Sequence, residues 1–262
     1  MIELPNSRPT SAKSEAAGPE YDSIASNYST NAQERSDRTC VLVPSARHYL
    51  GDLDGMRVLD LACGSGYFTR LLKNWGAEGV VAVDISKEMV EIAQQEERTT
   101  PLGIEYRVGD VAQLGKLGEF DIVFAAFLLH YATTISELEK MCNAISMNLK
   151  AGGRFVCFNE NPLYPVHKGI LYDVDVAANG PISDGSRMTR THYEHGAPKF
   201  SFDHFHYESG TYEAAFRGAG LTNVEWLPFV KASNADLGYP KGFWDAYIED
   251  FSITILKCRK AI

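Results

Sequence analysis

The chain lacks several features that would place it in large protein classes. Its five cysteines, Cys40, Cys63, Cys142, Cys157 and Cys258, are odd in number and include no C-x-x-C pair. That pattern offers neither a zinc site nor a disulfide framework, and it suits a reducing cytoplasm. No apolar run approaches the roughly 20 residues that a membrane helix needs. The opening MIELPNSRPTSAKSEAAGPE has no apolar core of the kind a secretory signal requires. Clusters of lysine and arginine are missing too, and the formal charge of −9 repels phosphate backbones. The expectation is a cytoplasmic protein with no nucleic acid and no membrane among its partners.

What is present is ordinary globular material: 262 residues, of which 45% are hydrophobic, enough to bury a core. Residues 1–19, rich in Ser, Pro, Ala and Gly, read as a mobile tail, so the folded domain is expected to span 20–262. From Tyr21 to Leu50 the pattern suggests one or two helices, with Pro44 interrupting any single long one. Beyond it, RVLDLA, GVVAVD, IEYRVGD, FDIVFAAF and GRFVCFNE are short apolar runs separated by helical stretches, the signature of a parallel sheet of βαβ units.

Phe68, Leu71, Leu72 and Trp75 share one helical face, and Ser86 is a suitable N-cap for the next helix. In TTISELEKMCNAISMNLKAGG, Ile135, Leu138, Cys142, Ile145 and Leu149 keep another face. Thr134 and Glu137 form a capping box there, and Gly152-Gly153 stops the helix. After Glu160 the rhythm changes. Residues 161–207 read as an inserted cap containing two strands around a Gly196-Ala197-Pro198 turn. A helix at YEAAFRGAG and strands at TNVEWLPFV and FSITILKCRK then return to the sheet.

Chemistry concentrates at the strand ends. Asp60 closes a strand that turns through Gly64 and Gly66 into a helix, which brings bare backbone and N–H groups up to a ligand. Asp84, 20 residues after Gly64, ends the next strand, where a carboxylate can accept both hydroxyls of a ribose. Asp110 ends the third, within reach of an adenine amino group. A tight steric turn and a turn aspartate are the competing readings. A dinucleotide would call for a third glycine, but Thr69 stands there, and its branched side chain obstructs close helix-to-strand packing.

VLDLACGSGYFTRLL, VVAVDISKEMVEIAQ, YRVGDV and FDIVFAAFLLHYA, in this order and spacing, resemble the successive motifs of class I S-adenosylmethionine-dependent methyltransferases. The resemblance covers about residues 20–160. It implies a Rossmann-like α/β fold with a seven-stranded, mostly parallel sheet, its last strand antiparallel, and helices on both faces. It also implies S-adenosylmethionine as cofactor and S-adenosylhomocysteine as product. Carried over, Ala62, Gly64 and Gly66 would contact the methionine part and Asp84 the ribose. Ile85 and Met89 would pack the adenine, Asp110 with Val111 would read its edge, and Ala126 and Phe127 would line the floor near the sulfonium. Ala62 stands where the family often has glycine.

YDSIASNY resembles the entry helix of such enzymes, with Tyr21 and Tyr28 closing over the cofactor and Arg38 pairing its carboxylate; core packing and a solvated arginine are the alternatives. His130 and Glu160, at carboxyl edges of strands, are candidate catalytic residues serving the acceptor, or plain lining. Phe200, Phe202, His204 and His206 share a cap face fit to roof an aromatic acceptor or to pack on their own domain. With His192 and His195 they match no ligand spacing, so no metal is expected. The expected activity is methyl transfer to a small aromatic or heterocyclic acceptor at N, O or C. The alternatives are a protein or RNA methyltransferase and an NAD-dependent oxidoreductase.

Overall fold

The structure is a computed structural model that describes residues 36–166 and 169–262. Tyr21, Tyr28 and the expected tail therefore lie outside the described residues. Seven strands form one sheet in the order β3 (Glu105–Val108), β2 (Gly79–Asp84), β1 (Arg57–Leu61), β4 (Phe120–Ala126), β5 (Leu149–Glu160), β10 (Ile253–Lys260) and β9 (Leu221–Leu227). Strands β1, β2, β3, β4 and β5 run parallel. Strand β10 runs antiparallel between β5 and β9. This is the Rossmann-like arrangement expected. The strand order reverses at β1, which pairs β2 on one side and β4 on the other. A crevice therefore opens beyond the carboxyl ends there.

Alternate residues of each strand enter opposite cores. Val58, Ile122, Phe124, Val156 and Phe158 face helices α1 (Val43–Leu50), α2 (Tyr67–Asn74), α3 (Lys87–Thr99) and α6 (Phe243–Glu249). Leu59, Leu61, Val123, Phe155 and Cys157 face α4 (Ile135–Asn148) and α5 (Ser209–Gly218). Because both faces are covered, the strands read as unbroken apolar runs.

Pro44 does not interrupt its helix. Arg38–Leu42 wind as a π-turn, in which the Val43 N–H reaches back five residues to the Arg38 carbonyl. Proline has no N–H to offer the Cys40 carbonyl. That carbonyl is satisfied instead by the Ala232 N–H at 2.8 Å. Helix α4 also departs from expectation. It ends at Asn148, and Gly152-Gly153 fall inside β5, where the register with β4 shifts between the pairs Phe120↔Leu149 and Ile122↔Arg154. A Cβ on Gly153 would stand 2.9 Å from the Lys150 carbonyl, so the shift needs glycine there. Ile135 is exposed rather than on the core face. Thr134 caps the Glu137 N–H at 3.2 Å, but the Glu137 carboxylate accepts from the Thr133 N–H at 2.7 Å instead of closing the box.

Between β5 and α5 lies a three-stranded antiparallel sheet, β6 (Val174–Ala178), β7 (Ser186–Glu194) and β8 (Ala197–His206), in that order. The β7–β8 turn is His195-Gly196, with φ of 52° and 79°, rather than Gly196–Pro198. Two left-handed residues match the twist of a tight hairpin, and Pro198 is already in β8, paired with Tyr193 beside a bulge. Strand β6 and helix α6 had no counterpart in the sequence reading.

Candidate active site

At the end of β1 the chain turns through Ala62, Gly64 and Gly66, with φ of 56°, 54° and 87°. These left-handed values fold the backbone tightly over the sheet edge. Gly64 faces open space where a Cβ would be, whereas a Cβ on Gly66 would lie 2.6 Å from the Tyr106 hydroxyl. Asp84 holds the turn against β2: its Oδ2 accepts the Gly64 N–H at 2.7 Å and its Oδ1 the Ser86 N–H at 2.9 Å. Asp110 caps the short turn that follows β3, accepting from the Ala112 N–H at 2.9 Å and the Gln113 amide at 2.6 Å.

These residues border a cleft of about 110 Å³. Of the expected cofactor residues, Ala62, Gly64, Asp84, Ile85, Met89, Asp110, Val111, Ala126 and Phe127 all line it. Gly66 instead starts α2. Arg38 borders a second cavity, with its guanidinium 4.3 Å above the Tyr67 ring. An adenosyl group fits the first cleft: Ile85, Met89, Val111, Leu128 and Met141 form an apolar slot, Asp84 and Asp110 border it, and bare backbone at Gly64 opens it toward Ala62.

Thr69 has a use that the sequence did not disclose. Fully buried, it donates to Asp60 Oδ2 at 2.6 Å. Asp60 Oδ1 has no partner among the described residues, and burial, reinforced by the Asp84 charge, pushes the Asp60 carboxyl up to about 7 although Thr69 pulls the other way. The position where a dinucleotide fold needs glycine is thus occupied by the side chain that holds this acid beneath the turn.

The second cavity, about 470 Å³, adjoins the first, and Phe127 and Tyr131 line both. One wall belongs to the small sheet, where His192 stacks on Phe200 with centroids 4.6 Å apart and Phe202 continues the stack. The other wall carries Tyr172, Tyr239, Phe243, Trp244 and Tyr247. His204 shares the strand face of Phe200 and Phe202, but it lies beyond this cavity, buried with its Nε2 3.7 Å from Glu160.

His130 and Glu160 both line the cavity. His130 is 1% exposed, and its Nδ1 lies 3.2 Å from Asn159 Oδ1. The Asn159 amide nitrogen donates to the Glu160 carbonyl at 3.1 Å, which turns Oδ1 toward the ring. Nδ1 therefore carries the hydrogen and Nε2 the lone pair. Burial pushes the imidazole down to about 4, so it is neutral at ordinary pH.

Glu160 does not suit a proton acceptor. Burial would raise its carboxyl, but the charge of Arg190, then of His204 and His130, outweighs this and holds it at about 2. Arg190 donates to both of its oxygens, at 2.8 and 2.7 Å from Nη2 and 3.1 Å from Nε. Arg190 and Asn159 escaped the sequence reading because a lone arginine in TRTHYE carries no sign of a partner 30 residues earlier. Among the described residues no group of three or more His, Cys, Asp or Glu is placed to hold a metal ion.

A crevice at the switch point of an open α/β sheet, with a glycine turn and an acid closing the second strand, defines an adenosyl-binding enzyme of Rossmann-like fold. Residues 58–153 match the methyltransferase domain family. Over 227 residues the chain is 29% identical to a demethylmenaquinone methyltransferase of Lactococcus lactis, covering 79% of this chain and 82% of that one. It is 30% identical to a ubiquinone biosynthesis O-methyltransferase of Methylocella silvestris, over 39% of this chain and only 40% of that protein. The CcbJ methyltransferase of Streptomyces caelestis shares the fold with a TM-score of 0.64 at 17% identity, covering 96% of this chain and 100% of the other. These matches, together with the fold, support a class I S-adenosylmethionine-dependent methyltransferase.

Proposed function

We propose that the protein methylates a small aromatic or heterocyclic acceptor, in a biosynthetic reaction of secondary metabolism, with the acceptor held in the 470 Å³ cavity. The observation that carries this reading is the shared wall. Phe127 and Tyr131 line both cavities, so an acceptor between the aromatic walls adjoins the cofactor cleft. Two of the similar proteins, a demethylmenaquinone methyltransferase and a ubiquinone biosynthesis O-methyltransferase, point to ring-bearing acceptors.

Bound S-adenosylmethionine supplies a methyl group already activated on a sulfonium. The protein's work is then to hold the acceptor in line at about 3–3.5 Å and to keep water out. The aromatic walls orient a flat ring by stacking. His130, with its Nε2 lone pair directed by the Asn159 contact, takes the proton of an O–H or N–H acceptor, a contribution of roughly 10²–10⁴-fold. Asp84 and Asp110 serve the ribose and the adenine edge, Tyr21, Tyr28 and Arg38 the methionine end. Five cysteines, none of them in a disulfide, support a cytoplasmic location. The charge of −9 argues against nucleic acid as partner, and no described helix is long and apolar enough to cross a membrane.

The test is incubation with methyl-labelled S-adenosylmethionine and a native-host extract, followed by separation of metabolites from macromolecules. Label is expected among the metabolites. Label confined to protein or RNA would overturn the acceptor class.

A further inference from the structure

Arg190 has donor capacity that the described structure does not consume. Its Nε and Nη2 are committed to Glu160, and Nη2 also donates to Ser252 Oγ at 2.9 Å. Its Nη1 has no hydrogen-bond partner among the described residues. Arg190 is 3% exposed and lines the aromatic cavity.

The surroundings define what this donor takes. A guanidinium nitrogen carries only donors, so its complement is an acceptor atom. Glu160 already neutralises the charge, with Arg190 and Glu160 side chains 4% and 13% exposed. A second carboxylate bonded at Nη1 would have to share the one guanidinium charge with Glu160. The matching group is an uncharged oxygen. Arg190 occupies the strand face that also carries His192 and, on the paired strand, Phe202 and Phe200. A ring lying along that stack brings an oxygen on its edge to Nη1.

We infer that Arg190 selects the acceptor: the cavity takes an aromatic ring bearing a neutral hydroxyl or carbonyl oxygen, bonded by Nη1. The inference rests on the reading of this cavity as the acceptor site. Arg190 is a specificity determinant, and methyl transfer itself does not pass through it.

The test uses shape-matched probes that differ in one oxygen, 1-naphthol and 1-methylnaphthalene, with 1-naphthoate as the anionic case. Binding to the full chain with S-adenosylhomocysteine present is followed by fluorescence of Trp244, which lines the cavity. 1-Naphthol is expected to bind more tightly than either of the others, by on the order of tenfold or more. Arg190→Lys keeps a cation for Glu160 but loses the second arm of the fork, and it should abolish the preference. If Arg190→Lys does not fold, Arg190→Met with Glu160→Gln removes both charges together and serves the same comparison. Equal binding of 1-naphthol and 1-methylnaphthalene, or a preference that survives the substitutions, overturns the role of Arg190 while leaving the aromatic site intact. Failure of all three probes to bind overturns the aromatic site and the inference together.

Discussion

Ala62 and Phe127 carry φ of 56° and 71°, values that L side chains avoid at a cost of about 1–2 kcal/mol each. Both border the cofactor cleft, and Phe127 is held by its N–H bond to the Phe158 carbonyl at 3.1 Å. Both strained residues stand on the wall of the cleft proposed for the cofactor. Asp84 was legible in sequence from its distance after the glycine turn. Its two backbone hydrogen bonds were not, because they depend on how β1 and β2 pair. Asp84→Ala should weaken S-adenosylmethionine binding by more than tenfold in calorimetry; unchanged affinity would remove the carboxylate from the ribose.

At the level of elements, the strands were readable because burial on both faces leaves an uninterrupted apolar signature. Pro44 was misread because the compensation, a carbonyl satisfied by Ala232, comes from a distant segment. Strand β6 leaves little signal because only Val176 of its VDVAA is buried, and α6 because FWDAYIE is only seven residues. The small sheet is tied to β5 through Arg190 and Glu160, and that tie is sensitive to acid. In the fold Glu160 stays ionised down to about pH 2, whereas its ordinary value is 4.5. The pair contributes fully above about pH 4.5 and is lost progressively as pH falls toward 2. Protection factors of amides in β7 and β8, referred to the intrinsic exchange rate at each pH, should therefore fall between pH 5 and pH 3 more than those in β1 and β4. An equal fall in all four strands would mean that the tie does not hold the small sheet.

Across the whole molecule, the two cavities differed in how far the sequence revealed them. The cleft proposed for the cofactor is built from strand ends and the turns that follow them, each with its own local signature. The second cavity draws on residues near Arg38, His130, Glu160, Arg190 and Trp244, segments far apart in the chain, and only folding brings them together. His130 was found there because it lies just beyond a strand end; Arg190 and Asn159 have no such marker.

The shared wall also has a thermodynamic consequence. Phe127 and Tyr131 line both cavities, so any adjustment of theirs to one occupant changes the surface offered to the other and links the two sites. Linkage is reciprocal: the factor by which a cofactor alters acceptor affinity equals the factor by which the acceptor alters cofactor affinity. Titrating 1-naphthol with and without S-adenosylhomocysteine, and then the reverse, should give the same ratio, different from one. A ratio of one would mean that the shared wall is rigid and that each cavity fills in ignorance of its neighbour.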